Sequence, residues 1–381
     1  MGGVSMEWKE DVLGNVLEVK YGKDHKKLAD GQYPVYGSGG LMRYVDSKLY
    51  DGPSILIPRK GTLNNIMFVD NPFWTVDTMF WSIINTEKVD PKFLFYSICK
   101  RDFASMNVGS AVPSMTVNIL NDIQISYPKN IEDQRRIASI LSSLDRKIEL
   151  NNKINADLEE MAQAIFKNWF VDFEPFKDGK FVDSELGMIP EGWKVGRLTE
   201  IASYMNGLAM QKFPPENNED SLPVLKIKEL GQGFCGTDSD RCSCNIKDEC
   251  KIHNGDVIFS WSGTLLVDVW CGGDCGLNQH LFKVTSKDYP KWFYYYWTKH
   301  HLQEFIHIAK DKAVTMGHIK RGHLEEALVA IPDNDSMEKA HELFEPILSK
   351  MISLRLENSR LSLLRDTLLP RLMSGELEVP E

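Results

Sequence analysis

Apolar residues recur every three or four positions through 137–169, which is the spacing of a coiled-coil heptad. Neither Gly nor Pro interrupts 131–172, so the pattern predicts one helix of about 60 Å at 1.5 Å per residue. The pattern returns in 334–375 at a constant offset of 203 residues, with Pro346 placed where it could kink or delay the helix. The predicted seam positions are Leu141, Leu144, Ile148, Asn151, Asn155 and Leu158 in the first helix, and Phe344, Ile347, Met351, Leu354, Asn358 and Leu361 in the second.

These two matched helices are expected to pair with each other, because a narrow heptad stripe suits another helix better than a broad sheet. A whole globular segment separates them, and such a connection permits antiparallel pairing. The alternative is that each helix lies as an amphipathic element on its own domain. Asn155 and Asn358 occupy equivalent seam positions. We expect them to face each other and to fix the register at some cost in stability.

The segment before each predicted helix also repeats. The offsets between matches range from 185 to 202, as expected when insertions fall in loops. Matches in the same order along the chain predict two copies of one unit. The matching pairs are Trp8-Lys9 with Trp193-Lys194, Gly22 with Gly207, Pro34-Val35 with Pro223-Val224, Gly61-Thr62-Leu63 with Gly263-Thr264-Leu265, Phe80 with Phe282, and Ala111-Val112 with Ala313-Val314.

Strand-like runs alternate with helical stretches and irregular loops in each copy. The predicted fold class is α+β (mixed): two globular α/β units separated by two long helices that form an antiparallel coiled coil, with a pseudo-twofold internal repeat. The predicted segments are 1–130 (first unit), 131–172 (first helix), 173–192 (linker), 193–333 (second unit), 334–375 (second helix) and 376–381 (tail).

Composition limits the functional classes. The 381 residues carry a formal net charge of −10, which argues against a simple basic clamp on nucleic acid. No apolar run reaches the ~20 residues of a membrane span, and the N-terminus has no signal-peptide core, so we expect a cytoplasmic protein. Six of the seven cysteines lie between Cys235 and Cys275 without a C-x2-C pair. Free thiols are therefore expected rather than a zinc site, and no metal ligand is assigned.

Motifs of stand-alone enzymes are missing from the sequence. It contains no Walker P-loop, GxGxxG, HExxH, GxSxG or EF-hand pattern. Asn71-Pro72-Phe73-Trp74 approaches the Asn-Pro-Pro-aromatic site of adenine methylases but lacks the second proline, so a turn is the better interpretation. We therefore expect no catalytic residues and no cofactor bound by this chain.

Polar, Gly-interrupted loops beside basic and aromatic residues are the remaining candidates for function. The lysines of VKYGKDHKK (19–27) could hold phosphates, although a solvated charged loop fits equally well. Arg59, Asn278 and Gln279 suit bidentate readout of guanine or adenine, although buried turn residues look the same in sequence. The candidate DNA-binding residues are Lys20, Tyr21, Lys23, Lys26, Lys27, Ser38, Arg59, Lys60, Thr62, Asn64 and Thr78 in the first unit, and Lys226, Lys228, Ser262, Thr264, Asn278, Gln279 and His280 in the second.

With these features the chain resembles the specificity subunit of type I restriction–modification systems. The resemblance is carried by the two-copy layout and by EDQRRIASILSSLDRKIELNNKINADLEEMAQAIFKNWFVDFEPF, ELGMIPEGWKVGRL, GDVIFSWSGTL, LNQHLFKV and LLPRLMSGEL. It implies two target-recognition domains, each reading one half of a bipartite double-stranded DNA site. The two helices would act as a ruler for the spacer between the halves.

The resemblance also implies partners. Two methyltransferase (modification) subunits and the restriction/translocase subunits would carry out adenine N6 methylation and ATP-dependent cleavage, with S-adenosylmethionine, ATP and Mg²⁺ as their cofactors. This chain would then be a non-catalytic subunit. Two alternatives stay open: a stand-alone adenine methylase that carries its own recognition domains, and an interaction scaffold with no role at DNA.

Overall fold

The computed structural model describes residues 6–106, 114–216, 220–311 and 317–379 and divides into two compact units. The first combines the chain up to Ile148 with the segment from Leu361, and the second spans Glu149–Arg360. Each long helix therefore contributes one part to each unit. The matching dipeptides Ala111-Val112 and Ala313-Val314 lie outside the described residues.

The described residues of the first unit form three sheets, two short α-helices and a 3₁₀ turn at Leu13–Asn15. The sheets are the pair β1 (Trp8–Val12) and β9 (Gln124–Pro128); the four strands β2 (Leu17–Tyr21), β8 (Met79–Ile84), β5 (Ser54–Pro58) and β6 (Met67–Val69), in that order; and β4 (Gly40–Val45), β3 (Tyr33–Gly37) and β7 (Trp74–Thr75). The helices are α1 (Pro91–Ile98) and α2 (Val117–Asn121). α1 begins where sequence rules place a helix start, because Asp90 caps the backbone N–H groups of Lys92 and Phe93 and Pro91 follows it.

The second unit repeats this topology. Its sheets are β12 (Lys194–Arg197) with β21 (Leu328–Ile331); β13 (Ser203–Asn206), β20 (Leu281–Thr285), β17 (Val257–Ser260) and β18 (Leu266–Val269); and β15 (Arg241–Ser243), β14 (Ser221–Leu225), β19 (Cys275–Leu277) and β16 (Lys251–Ile252). A linker hairpin, β10 (Phe181–Ser184) with β11 (Gly187–Pro190), precedes them. The short helices are α4 (Leu198–Ile201), α5 (Ile227–Gln232), α6 (Lys291–His300), α7 (Leu302–Asp311) and α8 (Arg321–Glu326).

The predicted repeat is confirmed by equivalent strand orders and by its glycines. The backbone N–H of Gly22 donates to the carbonyl of Met79 (2.9 Å), and that of Gly207 donates to the carbonyl of Leu281 (3.1 Å). A Cβ at Gly22 or at Gly207 would lie 2.0 or 2.2 Å from a backbone oxygen of the neighbouring loop. Both positions therefore require glycine for the same close approach.

The long helices are α3 (Ile131–Phe166), followed by a π-helical turn at Lys167–Val171, and α9 (Asn334–Met373), which Pro346 does not interrupt. They run antiparallel in each unit. In the first, Asp145 pairs with Arg365 at 2.7 Å. In the second, Asn151 contacts Asn358 and the ring of Phe166 meets that of Phe344. The two residue numbers of each pair add up to 509 or 510. The residue number in α9 therefore falls as the number in α3 rises, which is the pattern of an antiparallel pair.

The predicted pairing of Asn155 with Asn358 is wrong. Nδ2 of Asn151 donates to Oδ1 of Asn358 (2.8 Å) and to Glu357 (2.8 Å) instead. The residue numbers of facing positions add up to 509 or 510, whereas those of positions equivalent in the repeat differ by 203. Both conditions hold together only near position 153 of α3, so only there does a residue face its own equivalent in α9. Asn155 lies just past that position, and the register sets it opposite Leu354.

The twelve predicted seam positions differ in burial. Leu141, Asn151, Asn155, Phe344, Met351 and Leu354 are buried. The remaining six are half-buried: Leu144, Ile148, Leu158, Ile347, Asn358 and Leu361.

The globular part of each unit shares its hydrophobic core with the coiled-coil segments of that unit. In the first unit, Ile137 and Leu141 of α3 and Leu369 and Leu372 of α9 belong to the core around α1. In the second, Trp292 and Tyr296 of α6 contact Phe344, whose ring stacks on Trp292 at 4.6 Å between centroids. The globular part of each unit and its part of the coil therefore form one packed body.

We expect Phe344→Ala to lower the free energy of unfolding by about 3–5 kcal/mol, because it removes a fully buried ring from this aromatic core. Leu343→Ala is the matched control, since that neighbouring side chain is 41% exposed and should cost less than about 1 kcal/mol. Chemical denaturation of both variants measures the difference. Equal losses would contradict the assignment of Phe344 to the core.

Candidate nucleic-acid interface

A cleft of about 580 Å³ lies in the first unit. Three loops build it: the lysine-rich loop after β2, the tip of the β3–β4 hairpin and the loop before β8. Its lining residues are Asp24, His25, Lys26, Gly37, Ser38, Gly39, Met42, Val76, Asp77 and Thr78. The cleft thus brings together three residues predicted separately from the sequence, Lys26, Ser38 and Thr78.

Hydrogen bonds to the backbone hold the lysine-rich loop. Nε1 of Trp74 donates to the carbonyl of Lys23 (3.0 Å), and the backbone N–H of Lys23 donates to Thr75 (2.9 Å). The backbone N–H of Lys26 donates to Asp24, which lowers the pKa of that carboxyl. The loop therefore presents exposed lysine side chains from a fixed backbone, as a phosphate-binding loop requires.

Arg59, in the segment PRKGTLNN, lies beside the cleft without lining it. Its guanidinium lies 5.3 Å from the centre of the Tyr21 ring, and its backbone N–H donates to the carbonyl of Thr78 (2.8 Å). Nδ2 of Asn65, in the same segment, donates to the carbonyl of Ser38 (2.8 Å). These bonds tie the hairpin tip to the two loops beside it.

The other predicted residues of the first domain lie around the cleft without lining it. Lys20 pairs with Glu18, and Lys23, Lys27, Lys60 and Thr62 are exposed. Asn64 has a structural role, because its side chain accepts from the backbone of Ala104 (2.9 Å) and donates to Asp102 (3.2 Å). A DNA contact by any of these residues stays a prediction.

The second unit has a larger cleft of about 700 Å³. Six of its seven predicted residues line it: Lys226, Lys228, Ser262, Asn278, Gln279 and His280. Thr264 is exposed and does not line it. The rest of the lining is Met210, Gln211, Pro214, Val224, Ile227, Asp240 and Arg241.

Sequence reasoning missed Gln211 and Arg241. Both lie at places equivalent to loops of the first unit, Gln211 after β13 and Arg241 at the start of β15, but neither belongs to a matching sequence pair of the repeat. For Arg241, the sequence signal is a basic residue inside the polar segment DSDRCSCN. In the structure, Arg241 is exposed, and its Nε donates to the hydroxyl of Ser221 (2.6 Å).

Buried polar residues position the loop that carries Gln279 and His280. Oγ of Ser262 is 3.1 Å from Nδ1 of His280, and Oδ1 of Asn278 accepts from the backbone N–H of His280 (3.2 Å). Ser262 and Asn278 are only 5% and 8% exposed, whereas His280 is exposed. Ser262 and Asn278 therefore hold the loop in its conformation, and the side chains of Gln279 and His280 face the cleft.

The lysines of the second cleft are already paired with carboxylates. Lys226 pairs with Asp240, and Lys228 lies 2.5 Å from Asp238. The second pair raises the pKa of Lys228 and lowers that of Asp238. Exposed pairs of this kind contribute little energy, so a phosphate can compete with the carboxylates for the lysines.

Metal and membrane features are not found in the described part of the chain. No described helix is both long and apolar enough to cross a bilayer. No group of three or more metal-ligating side chains lies together among those residues. All seven cysteines are free thiols.

Comparison with known proteins identifies the repeated unit. The family model described as the type I restriction modification DNA specificity domain matches residues 6–160 and again 190–358. The chain belongs to this family. The two matches of the specificity domain fall on the two topologically equivalent halves of the fold.

Several relatives of this specificity-family chain span most of its length. It is 29% identical over 383 residues to the type I restriction enzyme MjaIX specificity subunit of Methanocaldococcus jannaschii, covering 93% of this chain and 86% of the relative. The HindI specificity subunit of Haemophilus influenzae is 23% identical and covers 82% and 83%. The crystal structure of a type I restriction–modification S subunit from M. genitalium superposes with a TM-score of 0.59 at 15% identity and covers 97% of each chain, which shows a shared fold.

Proposed function

We propose that this chain is the DNA specificity subunit of a type I restriction–modification complex, a non-catalytic subunit that acts in the cytoplasm. Each recognition domain reads one half of a bipartite double-stranded DNA site. The observation that carries the proposal is the pair of clefts, which equivalent loops build in two repeated domains of the DNA specificity family. An interaction scaffold with no role at DNA gives no reason for this placement of lysine, arginine and amide side chains.

The two half-sites are expected to differ. The first cleft combines Lys26 with Met42 and two hydroxyl side chains, whereas the second carries glutamines, His280 and Arg241. Base edges differ in the donors, acceptors and methyl groups that they present in the major groove. Two clefts with different side chains therefore select different sequences, and the site as a whole is asymmetric.

The coiled coil is proposed to set the spacer and to dock two methyltransferase subunits. Its helices leave apolar side chains exposed in both units, with Leu150 and Met161 in the second and Leu363 and Leu364 in the first. Exposed apolar side chains on a helix suit contact with another protein better than contact with water. Restriction/translocase subunits complete the complex, and S-adenosylmethionine, ATP and Mg²⁺ serve those partners.

DNA binding tests this proposal. The isolated chain, with its acidic total and its pre-paired lysines, should bind duplexes with a dissociation constant of ~10⁻⁶ M or weaker. The complex with methyltransferase subunits should bind a bipartite duplex at ~10⁻⁸ M or tighter, because the partners add phosphate contacts. Gel-shift titration of both preparations at one salt concentration measures the gain.

Three outcomes of these assays would count against the proposal. Tight, sequence-specific binding by the isolated chain would contradict the dependence on partners. Binding of S-adenosylmethionine by the purified chain would favour a stand-alone methylase. Failure to copurify with methyltransferase subunits, together with an unchanged host methylome after deletion of the gene, would favour a scaffold.

A further inference from the structure

The exposed apolar side chains of the first recognition domain are concentrated beside its cleft. Among its described residues, the large apolar side chains left exposed are Tyr21 (55%), Leu41 (51%), Met42 (57%) and Tyr44 (50%). Three of the four belong to strand β4. Such clustering on one hairpin is typical of a contact surface, since single exposed apolar residues are normally scattered.

A β-bulge places Met42 on the cleft side of this hairpin. Val35 pairs with Arg43 and Tyr36 pairs with Leu41, so Met42 has no partner across the strands. Bulges of this kind turn a side chain away from the regular alternation. Met42 lines the cleft and lies over Gly37. A Cβ at Gly37 would come within 2.6 Å of the Sδ atom of Met42. Leu41 is equally exposed but does not line the cleft.

The hairpin is narrow at its tip. Gly39 and Gly40 carry no side chain, and a Cβ at either position would meet no other atom within 4 Å. The hydrogen bond from Asn65 to Ser38 fixes the tip against the neighbouring loop. The major groove admits a two-stranded β-ribbon, and a fixed, slender tip suits such an insertion.

The chemistry around Met42 matches one base. Lys26, Ser38 and Thr78 line the same cleft and carry hydrogen-bond donors. The carboxylates of Asp24 and Asp77 also line it, and that of Asp24 already accepts from the backbone N–H of Lys26 (3.0 Å). In the major groove, thymine presents an acceptor, O4, next to an apolar methyl group, whereas cytosine presents an amino donor and no methyl. An apolar side chain flanked by donors is complementary to that thymine edge.

We propose that the β3–β4 hairpin enters the major groove of the first half-site and that Met42 packs against the methyl group of a thymine. The proposal rests on the proposed function. It adds that the first half-site contains a T·A pair recognised through its methyl group, and that Met42 determines this specificity.

Replacing each thymine of the first half-site in turn by deoxyuridine removes only the methyl group, so it tests the contact directly. The complex with methyltransferase subunits should bind one of these duplexes about fourfold more weakly, the loss expected for one methyl-sized apolar contact. Met42→Ala should bind the thymine and uracil duplexes alike, and Met42→Leu should keep the preference. Leu41→Ala is the matched control and should retain the full uracil penalty.

Three results would overturn the assignment. These are a first half-site without thymine on either strand, the absence of any uracil penalty in the unsubstituted complex, and a penalty that persists in Met42→Ala. Met42→Ala could also weaken binding of the thymine and uracil duplexes by the same factor, so that the uracil penalty persists. Together with altered fluorescence of 2-aminopurine beside the contact, that result would indicate that Met42 inserts between stacked bases instead. If the unsubstituted complex bound no bipartite duplex at all, the proposed function itself would fail.

Discussion

Exchange of residues 1–130 for the corresponding domain of another specificity subunit should change one half of the methylated DNA sequence and leave the other half unchanged. Every described residue that lines the first cleft lies within this segment. The exchange point falls between β9, which ends at Pro128, and α3, which begins at Ile131. Because the first cleft then carries entirely different side chains, methylation at the original site should be lost rather than reduced.

Packing at the junction sets the condition for this exchange. Ile137 and Leu141 of α3 and Leu369 and Leu372 of α9 are buried in the core of the first unit. Tyr96 also donates to Asp145 (2.5 Å), which pairs with Arg365. A donor domain must therefore bring a surface that accepts these side chains, or the chimera will lose stability for reasons unrelated to DNA.

Methylome sequencing of a host that expresses the chimera measures the outcome. The reciprocal exchange of 193–333 is the control, and it should alter the other half-site only. A change in both halves after either exchange would show that the two domains do not read DNA independently.

Features that depend on local periodicity could be predicted from the sequence. The heptads of α3 and α9 depend only on apolar spacing along one segment, so the two helices and their antiparallel pairing were accessible. The repeated glycines were accessible for a similar reason, since Gly22 and Gly207 must both allow a close backbone approach. The repeat also predicts which loops are equivalent in the two units. The structure places Ser262, Gln279 and His280 of those loops in one cleft.

Features that depend on register could not be predicted. The register of the two helices decides which asparagines face each other, and a shift of four residues exchanges Asn155 for Asn151 as the partner of Asn358. The bulge at Met42 is a register shift between two strands, and the sequence YPVYGSGGLMRYV contains no sign of it. Gln211 and Arg241 reach the second cleft through tertiary packing, and no sequence match between the two units marks either position.

The two buried asparagines of α3 should respond in opposite directions to substitution by leucine. Oδ1 of Asn155 is buried and has no hydrogen-bond partner among the described residues, and the register sets this side chain opposite Leu354. Asn155→Leu therefore removes an unsatisfied polar atom and adds an apolar contact, and we expect it to raise the free energy of unfolding by about 1–2 kcal/mol.

Asn151→Leu should instead destabilise the coil. Although Oδ1 of Asn151 also lacks a partner, its Nδ2 donates to both Asn358 and Glu357, and Asn358 in turn donates to Asn152 (2.8 Å). Leucine would remove the donor and leave polar acceptors in the seam, at a cost of about 1–3 kcal/mol. Thermal and denaturant unfolding of the two single variants measure the sign of each change.

The same pair of variants tests whether the asparagines hold the DNA spacer. A buried polar contact in a coiled coil selects one register, because a slipped register would leave its donor and acceptors unpaired. Asn151→Leu should therefore permit methylation at sites with altered spacers, whereas Asn155→Leu should keep the original spacer. If methylome sequencing found relaxed spacing in Asn155→Leu alone, the register would not depend on the contact between Asn151 and Asn358. Unchanged spacing in both variants would place control of the spacer in the ion pairs that join each domain to the coil, such as Arg355 with Asp268 (2.7 Å).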